Sequence, residues 1–354
     1  MTIDEKFMRR CLQLAQKGEG FAKPNPMVGA VIVHNGKVIG EGFHRQFGEA
    51  HAEENAIRSV KNPALLSSST MYVSLEPCAH YGKTPPCAEL IIENKIPKVV
   101  IAVSDPNPKV SGKGIKMMHS AGIDVTIGIL SKEAEELNRF FFVNQLYNRP
   151  YVILKWAQSA DGFIDHKRLS AEEKAPAQIS NELTHSIVHK FRTKVQGIMV
   201  GTNTALLDNP KLNARKWFGN NPTRIVIDKD AKIPSNAEIF NDDANVIVFT
   251  QSDYPIKKNN IKPIAIDFSE DTNRQILKYL YAEKIYSVIV EGGAHLLYSF
   301  IEKKLWDEAY VEISKKKLIS GVKAPEISMV NAIIKKYLDS SQHYLKNKIT
   351  QNFL

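Results

Sequence analysis

Residues 71–87 read Met-Tyr-Val-Ser-Leu-Glu-Pro-Cys-Ala-His-Tyr-Gly-Lys-Thr-Pro-Pro-Cys, and their order decides the fold of the first half of the chain. An apolar run over 71–75 has the length and composition of a buried strand, and Glu76-Pro77 stops it. A helical pattern starts at Cys87 and runs to 94, and 98–103 is a second apolar strand. Strand, helix and strand in that order predict a parallel pair in an α/β sheet. Working outward, 28–33 and 38–42 flank Asn35-Gly36, which suits a type I′ hairpin turn. A helix is predicted over 51–60. The opening segment carries Phe7, Cys11, Leu12, Leu14 and Ala15 at helical spacing and ends near Gly18 and Gly20. Beyond the quoted stretch follow a helix over 113–121, a strand over 124–127 and one long helix over 132–146.

Asn148-Arg149-Pro150 is the natural boundary, giving domains 1–147 and 148–354. The alternation then restarts. Strands are predicted over 151–156, 197–200, 224–227, 246–249 and 287–290, with helices over 181–192 and 294–303 and a closing strand over 308–313. The polar stretch 166–177, which contains Pro176, reads as a loop. The two halves share no motif.

Composition narrows the function classes. No apolar run approaches the roughly 18 residues of a membrane span, and the first residues show no secretory pattern, so a cytoplasmic protein without a membrane partner is expected. Three cysteines cannot build a disulfide framework. The net charge of +9 divides unevenly: 1–147 carries +2 and 148–354 carries +7, of which 314–354 supplies +6. The excess is therefore a lysine-rich segment, read as a solvated face, and not a basic stripe interleaved with aromatics. Nucleic acid is not the expected partner.

Chemistry concentrates in His51-Ala52-Glu53, Glu76-Pro77-Cys78 and Pro86-Cys87. One imidazole and two thiolates are three zinc ligands, which leaves the fourth tetrahedral position for water, the catalytic layout. Zinc lowers the pKa of such a water toward ~7, and Glu53 is placed to take its proton and pass it to a leaving amine. His-x-Glu with Pro-Cys and a second Cys is the pattern of zinc nucleobase deaminases, although Cys78 and Cys87 stand nine positions apart here. Cys11, on the apolar face of the first helix, reads as core.

With Pro24-Asn25-Pro26-Met27-Val28-Gly29, Asp105-Pro106-Asn107-Pro108, Ser159-Ala160-Asp161-Gly162 and Val290-Glu291-Gly292-Gly293, these motifs resemble the bifunctional deaminase-reductase family of riboflavin biosynthesis over essentially the whole chain. The resemblance implies a cytidine-deaminase-like zinc domain followed by a dihydrofolate-reductase-like domain. It implies one Zn2+ per chain, NADPH, a phosphorylated pyrimidine substrate and a homo-oligomer, dimer or tetramer. The first domain would deaminate 2,5-diamino-6-(5-phosphoribosylamino)pyrimidin-4(3H)-one, with Asn25, His44, His80, Lys83, Asp105 and Asn107 holding it.

The second domain would reduce the ribosyl group to ribityl. By position, Lys155 and Asp208 take polar catalytic roles. Ala157, Gln178, Thr204, Asp208, Gly292 and Gly293 contact the cofactor, and Arg192, Leu212, Arg215 and Glu291 contact substrate. No GxGxxG or P-loop marks a nucleotide site; the one physical hint is the apolar strand running through Gly292-Gly293 into a helix. The family pattern has a tryptophan where this chain has Gln178, so weaker NADPH binding is expected. A second half kept for binding or dimerisation alone is the competing reading.

Overall fold

The computed structural model describes residues 1–81, 85–107, 110–170, 173, 175–251 and 253–347. The chain divides into two compact units, one over Met1–Tyr147 and one from Asn148 onward.

The first unit is a sheet between two helical layers. Its strands are β1 (Gly29–His34), β2 (Lys37–Phe43), β3 (Thr70–Val73), β4 (Lys98–Ile101) and β5 (Asp124–Ile127). They lie in the order β2-β1-β3-β4-β5. β1 runs antiparallel to β2 and β3, whereas β3, β4 and β5 are parallel. The Asn35-Gly36 turn has φ of 49° and 73°, as a type I′ hairpin requires. The helices are α1 (Ile3–Gln16), α2 (Ala52–Arg58), α3 (Cys87–Glu93), α4 (Lys113–Ser120), α5 (Ser131–Leu137) and α6 (Arg139–Tyr147).

Strand alternation assigns the two faces. Ala30, Ile32, Met71 and Val73 pack with Ala56, Ile91 and Met118 from α2, α3 and α4. Val31, Val33 and Tyr72 pack with Met8 and Cys11 from α1 and with Ala134 and Phe142. Cys11 is thus a core residue, fully buried.

The long helix predicted over 132–146 is two helices that meet at Asn138. Asn138 turns its amide to the backbone of Met27, accepting from its N–H and donating to its carbonyl, both at 2.8 Å. Asn138 itself departs from helical geometry, with φ −104° and ψ 20°, while its N–H still reaches the Ala134 carbonyl at 3.1 Å and its carbonyl still accepts from Phe142 at 3.0 Å.

The second unit is built on β6 (Tyr151–Gln158), β8 (Gly197–Gly201), β9 (Thr223–Ile227), β10 (Val246–Thr250), β11 (Ile261–Ala265), β12 (Ser287–Val290) and β13 (Glu308–Ser314). A short pair, β7 (Phe163–Asp165) with β14 (Val322–Lys323), stands apart from the main sheet, which β15 (Ile333–Tyr337) and β16 (Ser340–Lys346) complete. Its order is β11-β10-β9-β8-β12-β6-β13-β16-β15. Every pair from β11 through β13 is parallel, and β16 and β15 add antiparallel. The helices are α7 (Glu182–Lys194), α8 (Thr202–Asp208), α9 (Thr272–Ala282) and α10 (Ala294–Glu302). Leu154, Phe249, Leu280, Val290 and Phe300 lie in its core.

β13 is therefore not the closing strand. The lysine-rich segment read as a solvated tail supplies the hairpin β15–β16, although all of β15 but Tyr337 is exposed. Pro263 hid β11, which tolerates it at the sheet edge. No helix among the described residues is long and apolar enough to cross a membrane.

One close approach sets where α2 lies. A Cβ at Gly42 would stand 2.3 Å from the carbonyl oxygen of Ala52 and 2.3 Å from the nitrogen of Ala56. Gly42→Ala is expected to lower the unfolding free energy by about 1–3 kcal/mol, as overpacking does. A urea midpoint equal to that of the unchanged chain would contradict this packing.

Candidate metal centre and reductase cavity

His51 is the N-cap residue of α2, and Glu53 lies in its first turn. Cys78 follows the end of β3, and Cys87 is the first residue of α3. The fold thus brings together residues 27 and 36 positions apart. His51 Nδ1 lies 3.7 Å from Cys78 Sγ and 3.3 Å from Cys87 Sγ, and the three ligand atoms lie within 4.8 Å of one another. With bonds of roughly 2.3 Å to sulfur and 2.0 Å to nitrogen, tetrahedral ligands of one zinc stand about 3.5–3.8 Å apart. The donor set fits a zinc ion. Cys78 is held far below the usual thiol range, first by the Cys87 thiol and then by His51, so it offers a thiolate.

Glu53 is 3% exposed. Burial pushes its carboxyl up to about 7, and the negative Cys78 sulfur adds to the rise. His44 packs edge-on against His51 with ring centroids 5.4 Å apart. Its Nδ1 donates to the Ala50 carbonyl at 3.2 Å, which leaves Nε2 as an acceptor for the Asn25 amide at 3.2 Å. The amide oxygen of Asn25 is thereby presented as an acceptor. Burial pushes Asp105 up to about 6, and its carboxylate accepts the Asn107 N–H at 2.7 Å. His80 is exposed, with its charge felt at Asp105. Lys83 lies outside the described residues.

Glu76 had no assigned task in the sequence, yet it organises this site. It is 4% exposed. Oε2 accepts the N–H of Asp105 (3.2 Å) and of Gly112 (3.0 Å), and Oε1 accepts those of Gly114 (3.1 Å) and Ile115 (3.4 Å). One carboxylate thus ties the loop after β4 and the start of α4 to the strand end that carries Cys78. Its only signal in the sequence is a charged residue closing an otherwise apolar strand.

In the second unit a cavity of about 970 Å³ opens at the carboxyl ends of the parallel strands. Lys155, Ala157, Gln178, Thr204, Asp208, Glu291, Gly292 and Gly293 all line it. Gly293 has φ 58°, and a Cβ at Gly292 would stand 3.0 Å from Thr204 Oγ1, so both glycines are required. Lys155 is pulled down by burial, opposed by the nearby carboxylates of Glu291 and Glu312.

Arg192 does not line the cavity. It acts through Glu291, gripping both its oxygens (3.0 and 2.7 Å) and the Asn213 carbonyl (2.8 Å). Leu212 is buried, and Arg215 is exposed and donates to Asn213 Oδ1; neither reaches the cavity wall. Asp208 is engaged by Arg168, which also pairs with Asp165 and donates to the Leu207 carbonyl at 2.8 Å. Arg168 lies inside the stretch read as a plain loop.

The cytidine and deoxycytidylate deaminase zinc-binding region matches residues 1–103, and the RibD C-terminal domain matches 150–316. Riboflavin biosynthesis protein RibD of Aquifex aeolicus is 36% identical over 331 residues, covering 92% of this chain and 91% of its own. That of Bacillus amyloliquefaciens is 39% identical over 333 residues, covering 92% and 88%. A solved Thermotoga maritima structure, a diaminohydroxyphosphoribosylaminopyrimidine deaminase/5-amino-6-(5-phosphoribosylamino)uracil reductase, superposes with TM-score 0.86 at 35% identity over 98% of this chain and 99% of that one.

Glu76→Gln keeps one acceptor oxygen and turns an NH2 toward one pair of N–H groups, that of Asp105 and Gly112 or that of Gly114 and Ile115, and leaves it unpaired. A loss of roughly 2 kcal/mol or more in unfolding free energy is expected. Chemical denaturation measures it, and an unchanged midpoint would count against this anchoring role.

Proposed function

The chain belongs to the riboflavin biosynthesis protein RibD family, and from that membership and the two sites we infer a bifunctional enzyme of riboflavin biosynthesis, a zinc-dependent deaminase joined to an NADPH-dependent reductase. The observation that carries this reading is the convergence of His51, Cys78 and Cys87 beside a buried Glu53. The substrate of the first half is 2,5-diamino-6-(5-phosphoribosylamino)pyrimidin-4(3H)-one, by likeness to the compounds named for the Thermotoga maritima protein. The second half acts on its deaminated product. A silent second half is not favoured, because the reductase match spans 150–316.

Bound by His51, Cys78 and Cys87, zinc supplies the Lewis acidity that makes a water nucleophilic near neutral pH. With zinc and a water in place, Glu53 would take a proton at its carboxylate oxygen and return one to the departing amine nitrogen. The amine leaves as ammonia, and the ring carbon keeps the water's oxygen. A carboxyl that titrates near 7 suits both transfers. Asn25, His44, His80, Asp105 and Asn107 position the substrate, Asn25 with its amide oxygen left as an acceptor, and Lys83, outside the described residues, joins them by the family resemblance. The Asp105–Asn107 turn is held by Glu76.

In the second half Ala157, Gln178, Thr204, Gly292 and Gly293 hold NADPH, which supplies a hydride when bound. Lys155 forms no ion pair among the described residues, so its ammonium can deliver the accompanying proton. Asp208 is a positioning residue fixed by Arg168. Glu291, held by Arg192, orients the substrate from the cavity wall. Leu212 and Arg215 lie outside that wall, next to Asn213, whose carbonyl Arg192 holds. The reading extends to a cytoplasmic homo-oligomer acting on small molecules and not on nucleic acid, supported by the +2 charge of residues 1–147.

Glu53→Gln is expected to reduce ammonia release at least a hundredfold while bound zinc stays at one per chain. Zinc lost from that variant would mean Glu53 serves as a ligand. Cys87→Ser should lower zinc content and deaminase turnover together and spare NADPH-dependent reduction of the deaminated pyrimidine. Loss of both activities in a folded variant would refute separate sites.

A further inference from the structure

Residues 176–181 depart from the family pattern at Gln178, yet the segment is held at several points. Ala177 donates its N–H to Asp165 Oδ1 at 2.8 Å, and Lys316 Nζ donates to the Gln178 carbonyl. Ile179 is buried. Asn181 caps α7, and its amide donates to the Tyr337 carbonyl (3.1 Å) and Asp339 Oδ1 (2.7 Å). Between these anchors Ser180 lines the reductase cavity.

The Ser180 hydroxyl donates to Glu312 Oε2 at 2.6 Å. Glu312 lies on β13 opposite Ala157 of β6 and is 2% exposed. Its Oε1 is buried with no hydrogen-bond partner among the described residues. The ammonium of Lys155, on the same face of β6 as Ala157, is electrostatically linked to Glu312 and offsets the burial of its charge. A serine hydroxyl has one proton to give, and a carboxylate has none to return. With that proton committed to Glu312, the lone pairs of Ser180 are what remains for a ligand.

We propose that Ser180, oriented by Glu312, accepts a hydrogen bond from an N–H group of a ligand bound in the reductase cavity. Glu312 is a positioning residue that keeps Ser180 an acceptor and selects a ligand N–H over a carbonyl at that point. Two ligands carry such a donor, the carboxamide of NADPH and the pyrimidine itself. The inference rests on reading this half as an NADPH-dependent reductase.

The test uses the full chain, with Ser180→Ala, Glu312→Leu, which removes the acceptor of the Ser180 proton, and the double variant. NADPH affinity is measured by equilibrium binding without pyrimidine, and the pyrimidine KM in the reductase assay. Thermal midpoints and deaminase turnover check that the variants stay folded. A ligand N–H left unpaired in a buried site should weaken its binding about tenfold. If the donor is the carboxamide, the NADPH Kd rises in both single variants while the pyrimidine KM holds. The 3-acetylpyridine analogue of NADPH, which has a methyl group in place of the amide nitrogen, then binds all variants alike. If the donor is on the pyrimidine, its KM rises and the NADPH Kd holds. In either case the double variant loses no more than Ser180→Ala alone, since the two residues act as one unit. Unchanged NADPH Kd and pyrimidine KM in Ser180→Ala overturn the proposal, and a change in Ser180→Ala without one in Glu312→Leu overturns the positioning role. Failure of the unchanged chain to bind NADPH overturns the reductase reading, and this inference with it.

Discussion

A parallel strand pair cannot be closed by a tight turn: the chain leaves one end of the sheet and returns to the other, usually through a helix. That constraint places both sites. β3 and β4 run side by side, so Cys78 and Asp105, which follow them, emerge at one edge together with Cys87 at the start of α3. His51 joins them by a different route, because α2 follows the antiparallel hairpin and is packed onto it at Gly42. In the second unit the parallel run from β11 to β13 delivers Ala157, Thr204 and Glu291-Gly292-Gly293 to one cavity in the same way. Ligand sites of α/β sheets collect at strand carboxyl ends for this reason.

Both units also bury charge, and they separate charges that hold structure from charges that do chemistry. Glu76 is matched by four backbone N–H groups. Asp307 is matched by both guanidinium nitrogens of Arg149 and by the Val152 N–H. Glu291 is matched by Arg192, and Asp208 and Asp165 by Arg168. Each of these charges is fixed in geometry, because removing one partner would strand the other in a low-dielectric interior. Glu53 and Lys155 differ: neither forms an ion pair among the described residues. Burial moves each toward its neutral form. These are the two groups assigned to move protons, and a group locked into an ion pair would be poorly suited to that work.

The metal centre was legible in the sequence because zinc chemistry needs particular residue types, and those types stood in recognisable company. The alternating halves were legible because buried strands are short apolar runs. What escaped was information carried by single polar side chains. Asn138 stands between two helices where the periodicity would continue one, and its amide pairs with Met27, 111 residues away. Nothing local announces that pairing. β15 and β16 escaped for a related reason: two of the lysines that make the segment look like a solvated tail, Lys335 and Lys336, sit on the outer strand β15, where charge is favoured. Arg168 was hidden in a stretch whose polarity reads as loop, although its partners Asp165 and Asp208 lie on separate elements.

Gln178 raised the expectation of a weakened cofactor site, because an aromatic ring there would offer a stacking face. The structure shows what the change spares. The segment is fixed through the Gln178 carbonyl, the Ala177 N–H, the buried Ile179 and the Asn181 cap, none of which depends on the side chain at 178. The backbone can therefore hold its course while that side chain varies. Aromatic surface also remains in the cavity wall, from Trp156 on β6 and from Phe268. A glutamine in place of a ring leaves intact the frame that presents Ser180 and the start of α7. The side chain at 178 borders the cavity, whereas the hydrogen bonds on either side of it fix the course of the segment.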